Sequence, residues 1–419
     1  MSLSPSSLLI LLLSITAVSY LIGLAIDLLE LSSTRTELPP EVTAFYDPEK
    51  YAQSVRYHRE HGRFSLWTGA LGFVASFLML LTGGFGWLDH QLRYWVTGDL
   101  PLALAFFGVL ALASDLLGTP FQWYSTFVIE ARYGFNKTTA RTFWLDKFKG
   151  YALGALIGGA MMAAMWWLIA WAGDQFWIWF GLVAAGVMLV LQLVYTSWLL
   201  PLFNKLTPLA DGPLKTAIEA FATRAQFPVQ HILVMDGSRR SSKANAFFSG
   251  FGRSKKIVLY DTLIEKHTTD ELVAILAHEV GHYKKRHIVS GYILSVVQVF
   301  FMLFILAQML HSETLSLALG AGEVAMHVNL IAFAILISPL SGVLGIWMNA
   351  LSRRHEFEAD AWARHHFSGA ALASALKRLS VESLSELYPH PAYVWLHYSH
   401  PPLLARLQAA DLVLELGDL

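Results

Sequence analysis

Long apolar segments dominate the hydrophobic pattern of the chain. Seven of them, at 8–29, 64–88, 100–117, 151–172, 176–200, 288–310 and 328–350, reach the length of about 18 or more residues that crosses a bilayer. The pattern predicts a mainly α membrane protein with seven transmembrane helices. Asp27 and Asp115 lie inside these segments, and we expect them to face protein or water because a lipid-exposed carboxylate is costly.

Two polar regions, 201–287 and 351–419, flank the last pair of apolar segments. The first has an amphipathic helical pattern at 214–226 and strand patterns at 231–235, 245–249 and 255–260. Thr268 and Glu271 form a capping-box pattern before the apolar run 272–277. The chain therefore divides into spans one to five (1–200), a small α+β segment (201–287), a membrane hairpin (288–350) and a C-terminal segment (351–419).

Composition and charge narrow the class of protein. The 419 residues are 55% hydrophobic and 15% charged, against about 25% charged in ordinary soluble domains. A net charge of −1 leaves no basic excess to neutralise phosphates, which argues against a nucleic-acid partner. Because the chain has no cysteine, any metal must be bound by His, Asp or Glu side chains.

The basic residues of the short loops predict the orientation. Ten Lys and Arg follow spans one and three, only Arg93 follows span two, and none follows spans four and six. The positive-inside rule then places both polar regions in the cytoplasm. The absence of cysteine and of a dilysine-type C-terminal signal favours the bacterial inner membrane over the endoplasmic reticulum membrane.

The polar regions contain the residues of a zinc site. His278 and His282, in His-Glu-Val-Gly-His, differ by about 40° around a helix and can bind one ion, and Glu279 can act on a metal-bound water. A third ligand is best sought in 352–360, where Glu356 and Asp360 share one helix face. Two predicted spans separate the two motifs, so both lie on the same side of the membrane.

The order of these motifs resembles the integral-membrane CAAX prenyl proteases of type I, a branch of the gluzincin metallopeptidases. The resemblance is carried by HEVGH, by SRRHEFEADAWA after two further spans, and by YGFNKTT at 133–139, NAFFSG at 245–250 and YSHPP at 398–402. It implies seven helices around a water-filled chamber, and one Zn²⁺ per chain on His278, His282 and Glu356. Glu358, the rival third ligand, points about 200° away from Glu356 around the helix.

The resemblance also implies roles for residues around the zinc. Glu279 matches the general base, and Asp360 matches an aspartate that either accepts a hydrogen bond from a zinc histidine or donates a proton. His400 matches a histidine that could stabilise the oxyanion, although on its own it would be read as a packing residue before two prolines. Two further expectations concern the substrate: a strand with Asn245, Ala246 and Phe247 that pairs with an extended peptide, and a contact of Arg406 with an acidic terminus.

The predicted function is a zinc-dependent membrane endopeptidase with Glu279 activating the water. By resemblance it processes C-terminal CAAX sequences at the cytoplasmic membrane face, as a monomer acting on peptide or membrane-protein substrates that can be prenylated. One alternative is a quality-control protease of membrane proteins with the same chemistry. An alternative of another class is a non-catalytic zinc-binding scaffold or transporter, in which Glu279 would have no purpose.

Overall fold

The computed structural model describes residues 3–38, 42–249 and 255–417, and most of them are helical. The long helices are α1 (Pro5–Ser33), α2 (Pro48–Leu81), α4 (Asp99–Tyr124), α5 (Ala140–Ala172), α6 (Phe176–Val194), α11 (His287–Met309) and α13 (Met326–His366). The shorter ones are α3 (Gly84–Arg93), α7 (Leu200–Phe203), α8 (Pro213–Arg224), α9 (Asp261–Lys266), α10 (Thr269–Lys284), α12 (Glu313–Ala318), α14 (Gly369–Glu382), α15 (Pro391–His397) and α16 (Leu403–Gly417). This architecture confirms the mainly α, multi-pass membrane class.

The predicted number of seven spans needs a correction. Within the residues described, six helical stretches are long and apolar enough to cross a membrane, and one of them, Ala140–Phe203, is 64 residues long. This stretch contains both the fourth and the fifth predicted spans, because only a 3₁₀ turn at Gly173–Gln175 separates α5 from α6. Gly173 has φ 54°, a left-handed region that glycine enters at little cost. The turn separates α5 from α6, but every residue from Ala140 to Phe203 has a helical conformation of some kind.

Carboxylates near the membrane helices have partners on neighbouring helices. Asp115 on α4 accepts a hydrogen bond from Lys147 Nζ of α5 at 2.6 Å, which agrees with the expectation that it faces protein. Asp89 on α3 is bonded to His327 Nε2 of α13 at 2.8 Å and to Arg93 Nε at 2.9 Å. These pairs compensate the cost of burying charge.

The polar region between α7 and α11 folds around a four-stranded sheet. Its strands are β1 (Leu206–Pro208), β2 (Val229–Met235), β3 (Ala246–Ser249) and β4 (Lys255–Tyr260), in the order β1-β2-β4-β3. β2 and β4 are parallel, and the two outer strands are antiparallel to their neighbours. The predicted strand 255–260 is β4, 231–235 lies within β2, and 245–249 covers β3. The predicted helix 214–226 overlaps α8 but begins one residue and ends two residues later. β1 was not predicted, because three residues that include a proline are too few to show the alternation of apolar and polar positions typical of a strand.

A buried cluster joins the sheet to the helix that contains His278 and His282. Ile218 and Phe221 of α8, Ile257 of β4, and Leu272 and Val280 of α10 belong to this core. β3 forms an outer edge of the sheet, so one of its edges is free of strand pairing among the described strands. The small α+β unit is confirmed, and it holds α10 against one face.

α13 continues beyond the apolar segment that predicted it. Its 41 residues run without interruption from Met326 to His366, so the boundary predicted at 350/351 has no structural break. The apolar pattern stops there, but Arg, Glu and Ala are good helix formers and the backbone hydrogen bonding continues. Glu356 and Asp360 therefore lie on the same helix as the last membrane crossing.

Candidate metal centre

The helix α10 begins at a defined residue. The Glu271 N–H donates to Thr268 Oγ1 at 3.3 Å, and the Thr268 N–H donates to Glu271 Oε2 at 2.9 Å, which confirms the predicted capping box. The apolar residues that follow, Leu272 to Ala277, are all buried. The cap fixes the residue at which the helix begins, and burial on all sides holds its first turns inside the domain, so that His278 and His282 follow from a fixed segment.

A glycine lets α13 approach α10 closely. A Cβ atom on Gly281 would lie 3.0 Å from both the Cα atom and the carbonyl oxygen of Ala359. Glycine is therefore required at this crossing, since a side chain would push the helices apart. The crossing lies between His278 and His282 on one helix and Glu356 and Asp360 on the other.

The close approach brings three possible ligands together. The Nε2 atoms of His278 and His282 are 3.2 Å apart, Glu356 Oε1 lies 3.2 Å from His282 Nε2, and Glu356 Oε2 lies 3.4 Å from His278 Nε2. All three ligand atoms lie within 4.8 Å of one another. Glu356 Oε2 is buried and has no hydrogen-bond partner in the described part of the chain. Two imidazoles and one carboxylate are a ligand set of catalytic zinc sites, so these residues fit the ion.

Asp360 and Arg406 hold the first histidine. Asp360 Oδ1 lies 2.7 Å from His278 Nδ1, and Arg406 donates to both oxygens of Asp360, at 2.7 and 2.5 Å. Burial disfavours a charged His278, but the contacts with the Asp360 and Glu356 carboxylates raise its pKa to about 9. A histidine binds a metal in its neutral form, so ion binding at this residue competes with protonation.

The second histidine has a partner that the sequence analysis missed. His282 Nδ1 lies 3.0 Å from His287 Nδ1, and His287 Nε2 lies 3.2 Å from Glu358 Oε2. The ring of His355 stacks on that of His287 at 3.9 Å. The only sequence signal was the position of His287, five residues after His282 at the start of an apolar segment.

Glu279 lies on α10 between the two histidines. Its side chain is partly buried, and this burial raises its pKa, whereas the nearby His278 and His282 lower it. A carboxylate with a raised pKa is a better proton acceptor than an exposed one. The surroundings therefore suit a general base.

The C-terminal segment brings His400 to the same site. His400 Nε2 is 3.3 Å from Glu356 Oε1, and 66% of the side chain is exposed, so a substrate can reach it. Arg353 of α13 holds this segment by donating to the carbonyl oxygens of Tyr398 and Val394, at 2.5 and 3.1 Å. A histidine on a held loop beside the metal ligands can donate a hydrogen bond to a substrate oxygen.

The predicted substrate-binding residues occupy two places. Asn245 is exposed, and Ala246 and Phe247 lie on the outer strand β3, which contacts α10. Only 11% of the Arg406 side chain is exposed, and its Nε and Nη2 atoms donate to Asp360. Arg406 Nη1 lies 3.6 Å from Glu356 Oε2. The contact of Arg406 with a substrate terminus stays a prediction.

Two family descriptions match almost the whole chain. Residues 27–205 match "CAAX prenyl protease N-terminal, five membrane helices", and residues 208–413 match "Peptidase family M48". CAAX prenyl protease 1 of Saccharomyces cerevisiae is 32% identical over 412 residues, covering 91% of this chain and 90% of the yeast protein. The CAAX prenyl protease 1 homolog of Homo sapiens is 34% identical over 426 residues, covering 90% and 89%.

A solved structure resembles this fold closely. The crystal structure of S. mikatae Ste24p superposes with a TM-score of 0.92 at 30% sequence identity. The match covers 96% of this chain and 99% of that one. The similarity thus extends over the membrane helices as well as the metal centre.

Proposed function

The chain belongs to peptidase family M48 as an integral-membrane metalloendopeptidase of the CAAX prenyl protease type, and we propose that it cleaves prenylated C-terminal peptides at a single zinc ion. His278, His282 and Glu356 hold the ion. The observation that carries the proposal is the convergence of these three ligand atoms with a buried Glu356 oxygen that has no hydrogen-bond partner among the described residues.

Zinc supplies Lewis acidity to this site when it is bound, polarising the carbonyl oxygen and lowering the pKa of water. Two carboxylates of the chain handle the protons of the reaction. Glu279 accepts the proton of the attacking water and delivers it to the leaving amine. Asp360 accepts the Nδ1–H of His278, which keeps Nε2 available as a ligand, and this favours an outer-shell role over proton donation.

Two regions would orient the substrate. The outer edge of β3, with Asn245, Ala246 and Phe247, offers backbone hydrogen bonds to an extended peptide without demanding a sequence. His400 would donate to the oxygen that becomes negative during attack. The predicted contact of Arg406 with an acidic substrate terminus would use its Nη1 group, because Nε and Nη2 bind Asp360.

The catalytic residues would face the cytoplasm. The polar region carries Lys243 and Arg240, which pair with Glu130 after span three, at 3.3 Å, and with Asp146 at the start of α5, at 2.9 Å. The catalytic segment therefore lies at the same membrane end as the basic loops, to which the positive-inside rule applies. The bacterial inner membrane, the monomeric state, the lack of a nucleic-acid partner and the enclosed chamber stay predictions.

The names of the relatives favour one class of substrate for this chain. The yeast and human relatives described above are named CAAX prenyl proteases, which favours a prenylated peptide over an unmodified one. A chain embedded in the bilayer would also meet its lipidated substrate in the membrane. A quality-control protease would have the same metal centre and differs only in the substrate that it cuts.

The decisive experiment compares two substrates with purified full-length protein. One is a farnesylated CAAX peptide, the other is an unprenylated, unfolded membrane protein, and Glu279→Gln is the control. Cleavage of the farnesylated peptide, lost on zinc chelation and restored by added zinc, supports the proposal. Cleavage of only the unprenylated protein would support quality control instead. One bound zinc per chain without cleavage of either substrate above the Glu279→Gln rate would favour a scaffold or transporter.

A further inference from the structure

The two zinc-ligand histidines are held in different ways, and the second arrangement involves residues to which no role has been given. His278 contacts the Asp360 carboxylate directly, at 2.7 Å. His282 contacts another imidazole, His287, which in turn contacts Glu358. The row His282–His287–Glu358 joins the end of α10 to the first residue of α11 and to α13.

Metal binding permits one placement of the hydrogen atoms in this row. An ion on His282 Nε2 leaves the proton of that ring on Nδ1, which then donates to His287 Nδ1 over 3.0 Å. His287 must accept at Nδ1, so its own proton is on Nε2 and donates to Glu358 Oε2 over 3.2 Å. Both hydrogen bonds then have one donor and one acceptor, and the row ends on a carboxylate.

The backbone shows that His287 is brought to this place at a cost. Arg286 adopts φ 61° and ψ 27°, the left-handed conformation, in the turn between α10 and α11. Residues other than glycine rarely adopt this conformation, because the Cβ atom then crowds the backbone. The turn places the His287 ring against His282, with only 7% of the side chain exposed.

Glu358 is itself held in position. Arg354, one turn earlier on α13, donates to Glu358 Oε1 at 3.0 Å, while Oε2 faces His287. The ring of His355 lies parallel to that of His287, with 7° between the ring planes. The end of the row is thus held by contacts within α13.

We infer, building on the proposed zinc site, that His287 and Glu358 are positioning residues that orient His282 for the metal. The relay of an imidazole and a carboxylate does for His282 what Asp360 does for His278. Outer-shell partners of this kind fix the tautomer and orientation of a ligating histidine, and their loss costs about 10–100-fold in metal affinity. The relay also ties the metal site to α11 and α13 at the membrane.

The test measures zinc affinity rather than cleavage. The zinc dissociation constant of the purified full-length protein is determined by competition with a chelator, for the wild type, His287→Phe, Glu358→Leu and Glu358→Gln. His355→Phe is the matched control, because it keeps a ring on the same stack and has no hydrogen bond to His282 among the described contacts. The unfolding temperature of each zinc-free protein is measured in parallel, to separate metal binding from folding.

We expect His287→Phe to bind zinc about 10–100-fold more weakly than the wild type. Glu358→Leu should lose less affinity than His287→Phe, and both unfolding temperatures should stay close to that of the wild type. Glu358→Gln retains an acceptor oxygen and should recover part of the affinity, whereas His355→Phe should stay within about twofold. If His287→Phe is unstable, the difference between Glu358→Leu and Glu358→Gln decides. Affinities within about twofold of the wild type for all these variants would overturn the relay. A wild-type protein that binds no zinc would overturn the proposed function itself.

Discussion

The two ends of α13 hold their ionisable side chains in opposite ways. Near its first residue, His327 is bonded to Asp89, which is also bonded to Arg93, so acid and base compensate one another. Near the other end, Glu356 Oε2 is buried and has no hydrogen-bond partner in the part of the chain that the structure describes, and its basic neighbours, His278 Nε2 and Arg406 Nη1, stay 3.4 and 3.6 Å away. The Nε2 atoms of His278 and His282 face each other there.

This difference suggests that one end of α13 contributes to the stability of the fold and the other end to the chemistry of the site. A complete ionic network has no free ligand atom and can only hold helices together, and removing one partner leaves the other buried and uncompensated. A buried polar atom without a hydrogen-bond partner destabilises the fold. Such an atom is retained where a bound ligand supplies the missing partner. We therefore expect substitutions at the Asp89 end to change unfolding, and substitutions at the Glu356 end to change metal binding and turnover.

The largest effect should follow from Glu279→Gln. The amide keeps the shape of the side chain but accepts no proton, so peptide cleavage should fall by about 10²–10⁴-fold. Zinc content and unfolding temperature should stay those of the wild type. Steady-state cleavage and metal analysis on one preparation check this. A variant with full turnover would remove Glu279 from the mechanism.

Asp89→Ala should show the reverse behaviour. It leaves the buried His327 without its carboxylate partner and should destabilise the fold by about 3–5 kcal/mol, with the cleavage rate per folded molecule unchanged. Equilibrium unfolding in mixed micelles measures this. Asp99→Ala, an exposed carboxylate in the first turn of α4, is the matched control and should cost less than about 1 kcal/mol. Equal losses for the two variants would contradict the comparison.

His400→Ala should slow turnover without affecting the metal. Losing an oxyanion donor should lower kcat by about 10²–10³-fold, while zinc affinity stays the same. His397→Ala, in the same C-terminal segment and also exposed, should retain most of the activity. A loss of zinc instead of turnover would identify His400 as a structural residue of the metal site.

Asp360→Asn should give the smallest change of this series. The amide oxygen still accepts from His278, but the charge that Arg406 and His278 share is lost, so zinc affinity should fall by about 10–100-fold. Turnover should recover when zinc is added in excess. Turnover that stays low in a fully zinc-loaded protein would favour the alternative role of Asp360 as a proton donor.

Local signals in the sequence predicted some of this structure well. The start of α10 depends on Thr268 and Glu271, three residues apart, and both capping hydrogen bonds form as expected. β4 coincides with the strand predicted at 255–260, because this short segment contains the β-branched residues Ile257 and Val258. Features that a few consecutive residues determine are readable without the fold.

Other features depend on residues that are distant in sequence. Glu358 lies 71 residues after His287, and their contact requires the left-handed turn at Arg286, which no sequence pattern near it signals. Arg406 was expected to meet substrate, yet most of its hydrogen bonds go to Asp360, 46 residues earlier. The continuation of α13 beyond residue 350 escaped prediction because the hydropathy changes there while the helical backbone does not.

The unbroken α13 makes the metal site sensitive to the helical phase of a membrane segment. Glu356 lies on the same helix as the apolar residues that follow Pro339, so its direction depends on the number of residues between them. One residue inserted among them would turn Glu356 by about 100° and shift it by about 1.5 Å, away from His278 and His282. A lipid bilayer would accept that longer segment, but the zinc site would not. The length of this span is therefore set by the angle at which Glu356 meets the ion, as well as by membrane thickness.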